Sequence, residues 1–297
     1  MHLYCYENEK LKRTKSYGVR DFCLCEKVDE EYMRSLINRD LCVVRGIMKT
    51  KSKQAGWKEM LLMIMRIQTI EQKRLNADLW IILTATFAAL GIYMAFQSEF
   101  YSIIKNVHIH ILLRTSLAAL CQFGVAGLGI SIVAVYRKEG LCSHGLNVKG
   151  SLKSIVSCIL CFIPHIIFSA VTKRITGYMP FQSVWMTKEA LSSGFPVNVA
   201  TMLVIATAWG FFEGFNYVVI SDKINQLYPC ENRLLNWGAI ICAAMCILIH
   251  GMVGVTIESL VEIFTVGIII YGMLMVRENT GNAWGCIFIF VFLWNAF

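Results

Sequence analysis

The chain has few charged residues and few prolines for its length. Asp, Glu, Lys and Arg make up 16% of its 297 residues, whereas a soluble domain has about 25%. Only 4 residues are proline, and we find no proline-rich linker, low-complexity segment or internal repeat. Hydrophobic residues make up 56% of the chain, and the mean hydropathy is +0.56. This composition excludes a typical soluble domain and is typical of a polytopic membrane protein.

Complete metal-binding motifs are also missing. Cys23 and Cys25 form a C-x-C pair, but no second cysteine pair or histidine cluster completes a zinc site. His108 and His110 would diverge on a helix and alternate faces on a strand. Many of the 12 cysteines lie within apolar runs, where a thiol behaves as a small hydrophobe. The sequence therefore predicts no cofactor.

Residues 1–76 differ from the rest of the chain because they contain most of the excess positive charge. They hold 16 Lys and Arg against 10 Asp and Glu, without a nucleic-acid-binding motif or a recognisable cleavable signal peptide. Residues 57–75 have apolar side chains at helical spacing with basic residues between them. We therefore predict a basic cytoplasmic extension with an interfacial helix (1–76), no nucleic-acid partner, and a transmembrane domain (77–297) in the plasma membrane.

The transmembrane domain is predicted to be all-α, with about seven spans (six to eight). Each apolar block is long enough to cross a bilayer, except for a shorter last block, and the block 236–276 is too long for one span. The predicted spans are residues 78–97, 112–136, 151–172, 197–220, two within 236–276 that divide near 251–254, and 282–297.

Glu213 is the most informative polar residue because it lies in the middle of an apolar block. A carboxylate at membrane depth costs roughly 2.5–3.5 kcal/mol, and such residues commonly have a functional role. On a helix, Asn216 and Tyr217 lie three and four residues further on the same face, where they could bind the carboxylate. His250 lies deep in the next apolar block. A buried, protonated Glu213 and a structural His250 are the alternatives.

Three further polar residues belong to the candidate site. Asn295 follows an apolar run, and its amide could donate to an oxyanion or simply mark an interfacial helix end. Glu258 and Glu262 lie one helical turn apart. They could line a cavity, pair with a neighbouring Lys or Arg, or lie near the membrane surface. These residues leave a proton- or ion-coupled transporter as an alternative, although the first three spans are almost wholly apolar.

The order of these polar residues resembles that in the CPBP family of intramembrane proteases, which includes the CAAX prenyl endopeptidases and bacteriocin-immunity-type proteins. Across residues 150–297, the family's Glu-Glu-x-x-x-Arg motif is similar to residues 212–217, with Glu213 retained and Tyr217 at the arginine position. Its Phe-x-x-x-His motif is similar to 246–250, which ends in His250. Its His-x-x-x-Asn motif is similar to 291–295, with Val291 at the histidine position and Asn295 retained.

The resemblance implies an intramembrane endopeptidase with Glu213 as general base. His250 would polarise the water or donate to the leaving amine, and Asn295 would bind the oxyanion. A divalent ion between Glu213 and His250 would have too few protein ligands, so no metal is predicted. The expected partners are membrane lipid and a peptide or protein substrate, lipidated or not. An inactive pseudo-protease of the same fold that binds such a partner is the alternative.

Overall fold

The chain is all-helical throughout the part that the structure describes. The computed structural model describes residues 53–175, 177–230, 232, 234–250 and 257–297, and their side chains except those of 53–70, 249–250 and 257. The helices are α1 (Lys53–Ala95), α2 (Gln97–Ile104), α3 (Ile111–Ala126), α4 (Leu128–Arg137), α5 (Ser151–Val171), α6 (Thr187–Ser192), α7 (Val197–Ile205), α8 (Glu213–Leu227), α9 (Trp237–His250), α10 (Ile257–Thr280) and α11 (Trp284–Phe288). A 3₁₀ turn covers Leu141–His144, and π-helical turns cover Ala206–Phe212 and Ile289–Leu293.

Several of these helices are long and apolar enough to cross a membrane. The described residues contain four candidate spans, Glu71–Ala95, Ser151–Val171, Val197–Leu227 and Glu258–Thr280. The pair α3 and α4 makes a fifth if its 60° bend lies within one span. Large hydrophobic side chains such as Trp80, Phe87 and Leu120 are exposed on the outer faces, where they would contact lipid. These features indicate a membrane protein.

The predicted count of about seven spans is not confirmed, because the described residues contain four candidate spans, or five with the bent pair. The predicted third span coincides with α5, which continues through Pro164. The predicted division near 251–254 lies outside the described residues, and helices α9 and α10 flank it. Within the described residues, Trp237–Leu248 and Trp284–Leu293 are apolar helical segments of fewer than 18 residues.

The amino-terminal boundary also differs from the prediction. The chain divides into units of Met1–Glu71 and Gln72–Phe297, so the boundary lies a few residues before the predicted 76. The predicted interfacial helix and first span are continuous in α1. Cys23, Cys25 and the remainder of residues 1–52 lie outside the described residues.

Helix α8 lies at the centre of the second unit. Its residues 214–224 are buried except for half-buried Asn216, so other helices must surround it. Helix α9 comes close enough for backbone contact, because a Cβ atom on Gly238 would lie 2.3 Å from the Ser221 carbonyl oxygen. Close approach at glycine is a common means of helix association in membranes.

Gly238→Ala is expected to destabilise the protein, because the added methyl group would meet the backbone of Ser221 as well as its hydroxyl group. We expect a cost of about 1–3 kcal/mol, as for overpacked cores, measured as a lower thermal unfolding temperature in detergent. Gly91→Ala is the matched control, since a Cβ atom there would meet nothing within 4 Å. Equal unfolding temperatures for the two variants would contradict this account of the α8–α9 contact.

Candidate functional site

Glu213 lies where a π-helical turn passes into α8. The turn Ala206–Phe212 follows α7 without a break, and π-helical turns occur frequently at functional sites. Gln122 of α3 donates from Nε2 to Glu213 Oε2 over 3.0 Å. Glu213 is only half-buried, so part of its surface remains accessible beside this hydrogen bond.

The last helix packs closely against the segment that carries Glu213. A Cβ atom on Gly210 would lie 2.6 Å from Val291 Cγ2, and one on Gly214 would lie 3.2 Å from Ile287 Cα. The rings of Tyr217 and Phe290 stack with centroids 5.5 Å apart. The two glycines therefore allow the backbone around Glu213 to pack closely against the helical segment Trp284–Leu293.

Asn216 and Tyr217 do not make the predicted hydrogen bonds to Glu213. Asn216 Oδ1 is buried and has no hydrogen-bond partner within the described part of the chain. The side chain of Tyr217 interacts with Cys246 of α9, and Cys242 Sγ lies 3.7 Å from the Tyr217 carbonyl oxygen. Gln122, which sequence reasoning missed, supplies the donor instead. The sequence feature that could have identified Gln122 was its amide side chain, because most of the block 116–136 is apolar.

His250 is the last residue of α9, and its side chain lies outside the described residues. Its backbone depth follows from the antiparallel register of α8 and α9. Gly238 meets Ser221 and Cys242 meets Tyr217, which places Cys246 opposite Glu213. His250 is one turn beyond Cys246, about 6 Å further along the axis.

Asn295 lies well away from Glu213. Since Gly214 meets Ile287 and Gly210 meets Val291, the register places Asn295 about 10 Å beyond the depth of Glu213. Asn295 Oδ1 accepts a hydrogen bond of 2.7 Å from Ser183 Oγ, and the Asn295 carbonyl accepts one of 3.2 Å from the Ser183 amide. The structure therefore does not bring Asn295 into hydrogen-bond contact with Glu213.

Glu258 and Glu262 belong to a separate ionic contact. Arg174 donates from Nη1 to Glu262, and its Nη2 lies 3.9 Å from a Glu258 oxygen. All three side chains are exposed. Pairing with a neighbouring arginine, one of the three predicted alternatives, is observed. These carboxylates do not face Glu213.

A second polar cluster lies at the other end of the helices, and sequence reasoning missed it. We call it the ion cluster. Its members are Asp78, Arg137, Glu139, His144, Asp222, Lys223, Arg277 and Glu278. Most of them lie near the end of an apolar block, where a charged residue is ordinarily expected to be exposed to solvent. The sequence feature that could have revealed it was the alternation of the predicted spans, which places the connections after 112–136 and after 197–220 on the same side of the membrane as the amino-terminal extension.

The centre of the ion cluster is Lys223, which is 2% exposed. Its ammonium group lies 3.0 Å from Asp78 Oδ2 and 3.1 Å from Glu139 Oε2. Arg137 Nε donates to Asp78 Oδ1 over 2.7 Å, and Arg277 donates to Asp222. The cluster thus joins residues from α1, α4, α8 and α10 with the loop that follows α4.

Comparison with known proteins adds no assignment. No protein-family model matches the chain, and no curated protein or solved structure is significantly similar to it. Among the described residues, no group of three or more His, Cys, Asp or Glu side chains has a metal-binding arrangement.

Proposed function

We propose that this chain is a membrane-embedded endopeptidase of the CPBP type, in which Glu213 activates water. The observation that supports this most is the half-buried residue Glu213, whose carboxylate is bonded to Gln122 at a π-helical turn within an apolar bundle. The motif resemblance in the sequence also supports it. The substrate would be a peptide or protein segment at the membrane, lipidated or unmodified.

The proposed reaction needs one proton acceptor and one water molecule. Glu213 takes a proton from water, and the hydroxide oxygen bonds to the carbonyl carbon of the peptide. The carbon–nitrogen bond then breaks, and the proton held by Glu213 passes to the leaving amine. Gln122 orients the carboxylate through its hydrogen bond to Glu213 Oε2.

A pseudo-protease that binds a peptide or lipidated partner without cutting it is the second candidate. The position of Asn295 favours it, because an oxyanion donor must lie within about 3 Å of the developing charge. Asn295 is instead bonded to Ser183. Val291 is apolar and packs against Gly210, so the observed segment offers no donor there.

Peptide cleavage by the purified full-length protein in lipid nanodiscs distinguishes these functions. We expect new peptide termini, detected by mass spectrometry, from a library offered in prenylated and unmodified forms. Empty nanodiscs are the control. Binding of library peptides without cleavage would support the pseudo-protease, and neither binding nor cleavage would reject both proposals.

The proposal includes a finer topology than the candidate spans alone. In it, α9 and the segment Trp284–Leu293 also cross the membrane, giving seven spans in the plasma membrane with a cytoplasmic amino terminus. The excess of basic residues in 1–76 supports that orientation. The ion cluster would then face the cytoplasm. Protease protection of an amino-terminal epitope tag in sealed cells tests it, and digestion of the tag from outside would contradict it.

A further inference from the structure

The ion cluster has an unequal number of permanent charges. Its four carboxylates are Asp78, Glu139, Asp222 and Glu278, and its three permanent cations are Arg137, Lys223 and Arg277. His144 is the eighth member, and it is 7% exposed. A protonated His144 supplies the fourth positive charge.

Both ring nitrogens of His144 face a carboxylate. Nδ1 lies 3.1 Å from Asp222 Oδ2, and Nε2 lies 3.4 Å from Glu139 Oε2. A neutral imidazole can donate from only one nitrogen, whereas an imidazolium donates from both. Protonation therefore converts one repulsive contact into a second charge-assisted contact. The Phe215 ring, 6.0 Å away and nearly perpendicular, packs beside the imidazole.

The residues on either side of His144 are held to different degrees. The residues that come after His144 in the chain are anchored to the turn before α11. There the Ala283 amide donates to the Gly145 carbonyl over 2.8 Å, and Asn282 Nδ2 donates to the Asn147 carbonyl over 2.6 Å. The preceding residues are held to α4 by the Glu139 amide, which donates to the Ala134 carbonyl over 2.9 Å, and to α8 through the side chains of Glu139 and His144. We call residues 139–144 the His144 segment.

The His144 segment lines a small crevice next to Phe212. Glu139, Leu141 and His144 form one wall, and Phe212 and Phe215 from the Glu213 segment form another. The crevice has room for about one water molecule. Movement of the segment would widen the crevice next to Phe212, the residue before Glu213.

We propose that the His144 segment is a proton-operated latch, in which protonated His144 joins Glu139 to Asp222 and holds the segment at the crevice. When the proton passes to solvent, one of these two links is lost, and the segment loosens while Glu139 keeps its contact with Lys223. The latch does not depend on whether Glu213 hydrolyses peptides, so the two proposals can fail separately.

The latch should open as the pH rises. Burial alone would favour neutral His144, but hydrogen bonds to Asp222 and Glu139 outweigh it and raise the pKa of His144 above its ordinary value of 6.5. A hydrogen bond from His144, helped by Lys223, lowers the pKa of Glu139 to about 2, so this carboxylate stays ionised while His144 titrates. A group with a raised pKa stabilises the folded arrangement at low pH, and that stabilisation is lost as the pH rises through the folded pKa.

Hydrogen–deuterium exchange of the full-length protein in nanodiscs tests the latch. After correction for intrinsic rates, we expect exchange in residues 139–144 to rise at least tenfold as the pH increases from below to above the pKa of His144, while residues 145–150 change little. His144→Gln should show the fast exchange at every pH, and His108→Gln should behave like the parent.

Glu139→Gln provides a second test that does not remove the histidine. It removes one of the two carboxylates that favour the imidazolium, so the transition should move to lower pH. Exchange in residues 139–144 that is independent of pH in the parent would overturn the proposal. So would a parent-like pH transition in His144→Gln, or an unshifted transition in Glu139→Gln.

Discussion

Lys223→Met should lower the free energy of unfolding by about 3–5 kcal/mol, the usual cost of removing one partner from a buried ion pair. Methionine has a similar length, so the main change is the loss of the positive charge between Asp78 and Glu139. Asp78 is 0% exposed, and water cannot replace the lost ammonium group without opening the helices. Chemical unfolding in mixed detergent micelles measures the effect.

The matched control is Lys149→Met, which removes an exposed lysine from the loop that carries His144. Surface substitutions of this kind usually change stability by less than about 0.5 kcal/mol. Arg137 remains bonded to Asp78 in the Lys223 variant, so the negative charge of Asp78 still has one positive partner. A cost below 1 kcal/mol for Lys223→Met would show that the ion cluster does not hold the helices together.

A double-mutant cycle separates the lost attraction from the unpaired charge. Asp78→Asn combined with Lys223→Met should be more stable than Lys223→Met alone, because the buried carboxylate is then neutral. The coupling energy should lie within about 0.5–3 kcal/mol, the range for residues in one network. Additive effects would contradict a direct interaction between Asp78 and Lys223.

The apolar blocks of the sequence were sufficient to predict where most long helices lie. Block 151–172 is uninterrupted and flanked by polar residues, and it coincides closely with α5. Continuity between neighbouring helices was harder to predict, because α1 passes without a break from a charged stretch into an apolar one. The bend at Gly127 depends on packing, since a Cβ atom there would lie 2.9 Å from the Phe212 ring of a distant segment.

Polar partners were predicted less well than helices. Glu213 stood out because it interrupts an apolar block, but its bonding partner, Gln122, lies 91 positions away on another helix. Helical spacing pointed to Asn216 and Tyr217 as partners, because they lie one turn from Glu213 on the same helix. Lys223 similarly contacts Asp78 across 145 positions. Such pairs depend on how helices are arranged in three dimensions, which periodicity within one segment does not report.

Glu213→Gln should lower kcat for peptide cleavage by about 10²–10⁴-fold, the usual contribution of a general base. Glutamine has nearly the same volume and an oxygen that can still accept the hydrogen bond from Gln122, but it cannot take a proton from water. KM should change little, because the variant keeps the shape and polarity of the site. Steady-state cleavage of the best library peptide gives both quantities.

Glu258→Gln is the matched control for this prediction, because its carboxylate lies in the exposed contact with Arg174 and not beside Glu213. We expect its kcat to stay within about twofold of the parent, since exposed ion pairs contribute little energy. The kcat of Gln122→Leu should lie between those of Glu213→Gln and Glu258→Gln, because this variant loses the hydrogen bond that positions Glu213 but keeps the base itself. If Glu213→Gln kept the parent kcat while the parent cleaved, Glu213 would not be the base. Equal losses in Glu213→Gln and Glu258→Gln would point to a change in folding, because the two carboxylates share no contact through which one could act on the other.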